Sequence, residues 1–386
     1  MKQNVFLWFV IMGFSMLSSC QISHETSPTS FMGFKDQIVY VKEFPQTFTL
    51  SGETVPDIDI IGIQDIQICD TMIIFSGKGQ ENLWACYSLP RYDYLGSLLT
   101  KGNGPNEFIQ APWVSSATFF NEQEELHAGI YDFQRGRVFN ANITQTLKTG
   151  KLDMRLMRDS LPPFLFNFFI IDSARYFCRE PNHQQTQQTR YLIEGDKQLH
   201  PAVFDSLNCI KLKEMQDINI LSTITKFNPD RNIVIEMPVI LNYINMYSLD
   251  GTFTRTLCVG DKVDDIEDIQ DKKRWERIYT FGDIRAFPDF WGVFYIGEDE
   301  KTYETGRKKL PCIYLFDWEG KPLAELKLQH FITTFDIDLR NRTLYTFDLE
   351  DEVLHKYDIS EILTKIIRLN EKKKQIDTIR ALYLEE

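Results

Sequence analysis

The sequence predicts an all-β protein, a six-bladed β-propeller of four-stranded blades whose last blade is closed by the N-terminal strand. Three observations lead there. Short β-branched and aromatic runs broken by turn residues fill almost the whole chain, which is the pattern of strands. A two-strand unit recurs six times. The last copy is short by one strand, while an N-terminal strand-like run has no blade of its own.

The first element stands outside the propeller. Lys2 supplies a positive start, and Val5 to Leu17 is almost wholly apolar, too short to span a bilayer but of secretory h-region length. The run ends in Leu17-Ser18-Ser19-Cys20, which resembles the bacterial lipobox, where small residues precede a cysteine that becomes the lipidated first residue. Residues 1–19 are therefore expected to be a signal peptide. Cys20 is the expected lipidation site, and 20–36 the lipidated tether, rich in Ser, Thr and Pro as far as Phe31. Each buried methylene of an acyl chain such as palmitate adds about 0.8 kcal/mol, so a multiply acylated Cys20 would hold the chain on a membrane. Gln21 carries no inner-membrane retention signal, which favours the outer membrane and leaves the periplasmic or surface face open.

The propeller is expected over 37–363. Its unit is clearest in Asn242–Leu257, where two alternating strands flank Leu249-Asp250-Gly251. Further copies are Trp84–Leu99, His127–Ile143, Arg190–Phe204, Cys312–Leu326 and Leu354–Leu363. The aromatic residues before their turns are Tyr87, Tyr131, Tyr191, Tyr247, Phe316 and Tyr357. Their mean spacing, about 54 residues, suits a four-stranded blade stretched by loops. Upstream runs supply the other two strands, as in Ile63–Cys69 with Met72–Phe75 and Thr334–Ile337 with Thr343–Phe347. Gln37–Leu50 is expected to complete the last blade, since ring closure removes open sheet edges. A charged tail, 364–386, follows. A β-sandwich array would leave that N-terminal strand unexplained, and an α/β fold would need long helical patterns between strands.

Between the first two blades lies Lys101-Gly102-Asn103-Gly104-Pro105-Asn106-Glu107-Phe108. A phosphate loop needs Gly-Lys-Ser/Thr and a following helix; here there is neither, and extended chain follows. The reading is a structural inter-blade turn. Gly102 and Gly104 would supply positive φ, Pro105 stiffness, Glu107 hydrogen bonds to backbone, and Phe108 a plug between blades. This octet, following a propeller strand and standing behind a lipobox, resembles the TolB-like six-bladed propeller lipoproteins of bacteria. The resemblance extends through the blade pattern over most of the mature chain and implies fold and address. It transfers no catalytic residue.

Chemistry is sparse. A net charge of −13 argues against nucleic acid, whose phosphates need a basic face. The six cysteines beyond Cys20 form no Cys-x-x-Cys and sit mostly in apolar strands, so buried free thiols are expected. None of the histidines 24, 127, 183, 200, 330 and 355 belongs to a His-x-x-x-His or accompanies a Gly-x-Ser-x-Gly elbow. Counted from Asp261, the acidic run Asp261–Asp271 puts Ile266 and Lys272 where a calcium loop needs Gly and Glu. Asn142-Ile143-Thr144 is an incidental strand-end triplet, and 228–232 and 338–342 read as hairpin loops on one rim. No cofactor or metal is expected. Trp113, Trp275 and Trp291 are candidates to stack on sugar rings at a rim.

The functional expectation is a lipid-anchored envelope propeller that binds a glycan, peptide or protein partner at one channel mouth, on rigid blades that display loops. The alternative is an envelope hydrolase or lyase on polysaccharide or peptide, which would converge titratable residues from different blades on one pocket. A purely structural component with a broad apolar patch is the third.

Overall fold

The strands assemble into six four- or five-stranded sheets, the blades of a propeller. The computed structural model describes residues 30–55, 58, 62–77 and 82–368; the signal segment, Cys20 and the end of the charged tail lie outside them. Within each sheet the blade's own strands run from the channel outward in chain order, and in blades 4, 5 and 6 an N-terminal strand is added at the outer edge. The innermost strands of blades 1 to 6 are Ile63–Cys69, Thr118–Glu122, Asn167–Ile170, Thr223–Asn228, Ile278–Ala286 and Thr334–Asp338.

Blades stack face to face, so their middle strands are buried on both sides. Met72–Gly77 and Tyr243–Ser248 are buried at every position, which is why such runs read as continuous hydrophobic stretches rather than as clean alternation. The core accordingly divides into six apolar clusters, one in each gap between neighbouring blades. Trp291 belongs to the cluster between blades 4 and 5, stacked on Phe316 at 4.5 Å with its indole N–H donating to the Asp317 carbonyl. Cys69, Cys86 and Cys178 are free thiols buried in these walls, Cys258 is buried there too, and Cys209 is free and exposed. Burial pushes the Cys86 thiol up to about 12.

Ring closure uses the N-terminus, but not the run expected to do it. Ile38–Val41 pairs parallel with the already complete outer edge of blade 4, and Thr47–Thr49 does the same on blade 5. The fourth strand of blade 6 is Glu53–Thr54, antiparallel to Val353–Asp358. The alternating run Gln37–Leu50 is interrupted by Phe44, which turns inward to stack on Tyr314 at 4.4 Å, and the chain reaches blade 6 only after Ser51-Gly52. Residues 30–55 thus form a strap around the outside of three blades.

The strap begins inside what was expected to be tether. Phe31, Met32 and Phe34 are buried between blades 3 and 4. The Tyr243 hydroxyl accepts from the Met32 N–H (3.2 Å), Asn245 Nδ2 donates to its carbonyl (2.9 Å), and Thr256 Oγ1 accepts from the Phe34 N–H (2.9 Å). Gly33 fits because a Cβ there would stand 2.6–2.9 Å from Phe31, Asn245 and Thr256. At the other end, residues 360–368 form a helix whose Ile362, Leu363 and Ile366 pack on the blade 5–6 core.

Blade 2 departs from the repeat. Its third and fourth strands, Arg137–Asn142 and Met154–Arg158, are joined by a helix, Ile143–Thr149, instead of a tight turn. Asn142 caps that helix, its side chain accepting from the Gln145 N–H at 2.9 Å. The visible glycine turn at Gly136 is the hairpin between the second and third strands, so Tyr131 lies one strand earlier than the other five anchoring aromatics.

Candidate functional site

The octet joins blade 1 to blade 2. Glu107–Phe108 returns beside the outer strand Tyr94–Lys101 as a parallel fifth strand, and the loop is closed by the Gly102 N–H donating to the Phe108 carbonyl at 3.0 Å. Phe108 is buried edge-on against Phe139 of blade 2. Glu107 accepts from the Gly104 N–H at 2.7 Å, while Arg135 and Arg137 of blade 2 donate to the carbonyls of Glu107 (2.6 Å) and Pro105 (3.0 Å). The glycines are not at positive φ, contrary to expectation. At Gly102 the constraint is space: a Cβ there would fall 1.9 Å from a Glu107 carboxylate oxygen.

The channel is open. Around the axis the innermost strands of blades 3, 4, 5, 6 and 1 pack in sequence, but between blades 1 and 3 the 3-10 turn Val114–Ser116 stands where a blade 2 strand would otherwise lie. A cavity of about 1430 Å³ runs along this side. That exceeds the ~300–1,000 Å³ of an ordinary small-molecule pocket. Its two halves differ: aromatic side chains of blades 2 and 3 (Phe119, Phe133, Phe166, Phe168) form one wall, and charged groups of blades 1, 4, 5 and 6 form the other.

The charged wall is built on a repeated Asp-Ile pair. Asp65-Ile66, Asp283-Ile284 and Asp336-Ile337 occupy the inner strands of blades 1, 5 and 6. In each, one carboxylate oxygen accepts from the N–H of the following Ile (2.8–2.9 Å), whose side chain is buried. The other oxygen reaches the next blade round: Asp283 to the Thr334 hydroxyl (2.8 Å), Asp336 to the Ile68 N–H (2.6 Å), and Asp65 to the Ser115 N–H (2.8 Å). Asn167 continues the pattern, its Nδ2 donating to the Thr223 carbonyl at 2.7 Å. These side chains stitch the ring together.

Arg285 fills the centre of the carboxylates. It pairs with Asp65 (3.1 Å) and Asp283 (2.9 Å) and donates to Gln67 and Thr334. Asp336, buried and among the described residues without a direct cation partner, has its carboxyl pushed up to about 6 by burial, with Arg285 opposing. Lys226 lines the cavity from blade 4. Its ammonium donates to the Ser115 carbonyl and, among the described residues, has no carboxylate in ion-pair contact. Burial, reinforced by Arg285, pulls the Lys226 amine down to about 8. The criterion of convergence is therefore met, with titratable groups of four blades around one cavity.

Of the three candidate tryptophans, only Trp113 stands at this cavity, half-exposed at 51%. Trp275 is exposed elsewhere, beneath Lys273 at 5.4 Å, and Trp291 is core. The hairpins 228–232 and 338–342 join innermost to second strands on a common rim, and Pro229, Leu339 and Arg340 line the cavity there. Asp261–Asp271 is an outer loop with a short helix, Ile266–Gln270, capped by Asp265. His127 is buried, its Nδ1 2.8 Å from Asn140 Oδ1; His330 and His355 stack at 3.8 Å in blade 6, away from the channel lining. Lys226 and the aspartates were not singled out in the sequence. The signal was present for the aspartates: Asp-Ile recurs inside three inner strands, where a buried carboxylate is costly unless bonded.

The family described as TolB-like 6-blade propeller-like matches residues 63–340. No curated protein matches the chain. Among solved structures, the chain is similar to a protein of Bacteroides fragilis described as a "putative exported protein", at 10% identity and TM-score 0.47, covering 83% of this chain and 98% of that one. It is also similar to a member of the DUF4221 family from Bacteroides vulgatus, at 11% identity and TM-score 0.47, covering 77% and 91%.

Proposed function

The chain belongs to the TolB-like six-bladed propeller family, and from that premise we propose that it is an exported, lipid-anchored envelope protein that binds a ligand in its central channel. The h-region and Cys20 support the address, with Gln21 favouring the outer membrane. The observation that carries the binding reading is the large two-sided cavity, whose aspartates are already committed to joining blades. Carboxylates so engaged position the wall and are poor candidates to attack or to shuttle protons. A second reading, an envelope enzyme on polysaccharide or peptide, draws on Asp336 and Lys226, whose environments bring both toward neutrality.

Lys226 separates a functional group from a structural one. Replacing it with Met keeps the volume and removes a desolvated ammonium that lacks a carboxylate partner, so the melting temperature of Lys226→Met is expected to equal or exceed that of the parent. A panel of oligosaccharides, peptides and divalent cations is then screened by thermal shift. A ligand at one hundred times its dissociation constant adds about 2.7 kcal/mol. The expected result is a shift with one chemical class that shrinks in Lys226→Met. A shift equally large in the variant argues against the channel, and turnover of the same ligand favours the enzyme.

A further inference from the structure

We propose that the channel ligand is a neutral oligosaccharide, seated with its sugar faces on Trp113 and Phe166; this rests on the channel-binding reading above. Both residues lie on connectors that enter inner strands, Trp113 before blade 2 and Phe166 before blade 3, and so share one rim of the channel.

Both are rigid platforms. Trp113 is 51% exposed, yet its neighbours are pinned: the Pro112 carbonyl accepts from Trp84 Nε1 at 2.8 Å, and Val114 is fully buried. Phe166 is 50% exposed, while its N–H donates to the Arg179 carbonyl and Leu165 beside it is buried. Its ring stands at 90° to Phe133, 5.6 Å between centroids. Exposed rings held on ordered backbone cost little further ordering when a ligand arrives.

Most charges of the lining are engaged with one another. Asp65 and Asp283 share the single guanidinium of Arg285, while Asp70 pairs with Arg340, Glu122 with Arg155, and Asp132 with Arg135 and Arg137. Asp172 pairs with Arg175, and Asp338 is held by three N–H donors of its own hairpin. Among the described residues Lys226, Asp336 and Asp338 have no ion-pair partner. An anion would meet the aspartates, and a cation would meet Lys226 and Arg285 beside them. Around the rim the polar groups are neutral amides and hydroxyls: Gln64, Gln110, Gln134 and Ser116. Such groups both donate and accept, as sugar hydroxyls do.

A peptide fits less well. Peptide anchors need deep apolar pockets, and the deeper rings here are packed on each other, Phe168 on Tyr131 at 4.6 Å and Phe169 between Phe177 and Phe227. What is left is flat aromatic faces, which suit the C–H face of a pyranose.

The test uses cello-, xylo-, manno-, malto- and laminarihexaose, with hexagalacturonic acid as the anionic probe, hexaglucosamine as the cationic one, and a random peptide pool. Binding is read by tryptophan fluorescence and calorimetry. The expected result is saturable binding of at least one neutral hexaose, weakened tenfold or more in Trp113→Ala and in Phe166→Ala, largely retained in Trp113→Phe, and unchanged in Trp275→Ala. Binding of only the acidic, basic or peptide probes, with loss in Trp113→Ala, overturns the neutral-oligosaccharide assignment and keeps the channel. A neutral hexaose that binds Trp113→Ala as well as the parent overturns the channel site itself. No binding of any neutral hexaose overturns the proposal.

Discussion

Replacing Glu236 with alanine is expected to cost about 3–5 kcal/mol of stability, the usual loss when one partner of a buried ion pair is removed. Glu236 and Arg190 join blades 4 and 3 with both side chains at 0% exposure and a closest approach of 2.5 Å. Tyr247 donates a further hydrogen bond to the carboxylate at 3.0 Å. Burial drives the Glu236 carboxyl upward, but Arg190, Arg179 and the Tyr247 bond outweigh it and hold it below the usual range. Arg179 is buried nearby and is pulled down to about 9 by burial and by Arg190. Alanine would leave Arg190 buried without its carboxylate and remove the nearby negative charge that Arg179 feels. Urea unfolding of Glu236→Ala should show a much lower midpoint, with Glu236→Gln between it and the parent. A midpoint within about 1 kcal/mol of the parent would mean that this pair does not join the blades as described.

The strap should matter as much. Phe31, Met32, Phe34, Val41, Leu50 and Val55 are all buried, at about 1.5–3 kcal/mol each. Together that is of the order of a whole domain's stability, about 5–15 kcal/mol. The strap also supplies the only strand that closes blade 6 among the described residues. A chain truncated before residue 56 is expected to lose its cooperative calorimetric transition, and Phe31→Ala alone to lose about 3–5 kcal/mol. A truncated chain that melts sharply within a few degrees of the parent would show that the ring does not need its strap.

The architecture was legible because blade packing imposes a strong pattern. Each blade buries two faces, so strands such as Tyr243–Ser248 stand out, and hairpin glycines like Gly251 (φ 75°) mark their ends. Where blade 2 exchanges its turn for a helix, the repeat slips by one strand at Tyr131. The closing strand was misplaced by a few residues because Glu53–Thr54 is only two residues long and polar, carrying no hydrophobic signature. The site was less legible. Asp65, Asp283 and Asp336 recur in the same local context, but that they bond to successive blades depends on ring geometry. Lys226 is conspicuous only through the lack of a carboxylate beside it, a property of its neighbours in space. Gly102 was read as a conformational glycine when what excludes a side chain is Glu107, five residues on.

The account turns on a ligand in the channel, and a crystal structure with the panel member giving the largest thermal shift tests that directly. The expected result is ligand density in the cavity of about 1430 Å³, against the Trp113 ring and within hydrogen-bond reach of Lys226. Density on an outer blade edge or on the strap, with the channel occupied only by solvent, would contradict it.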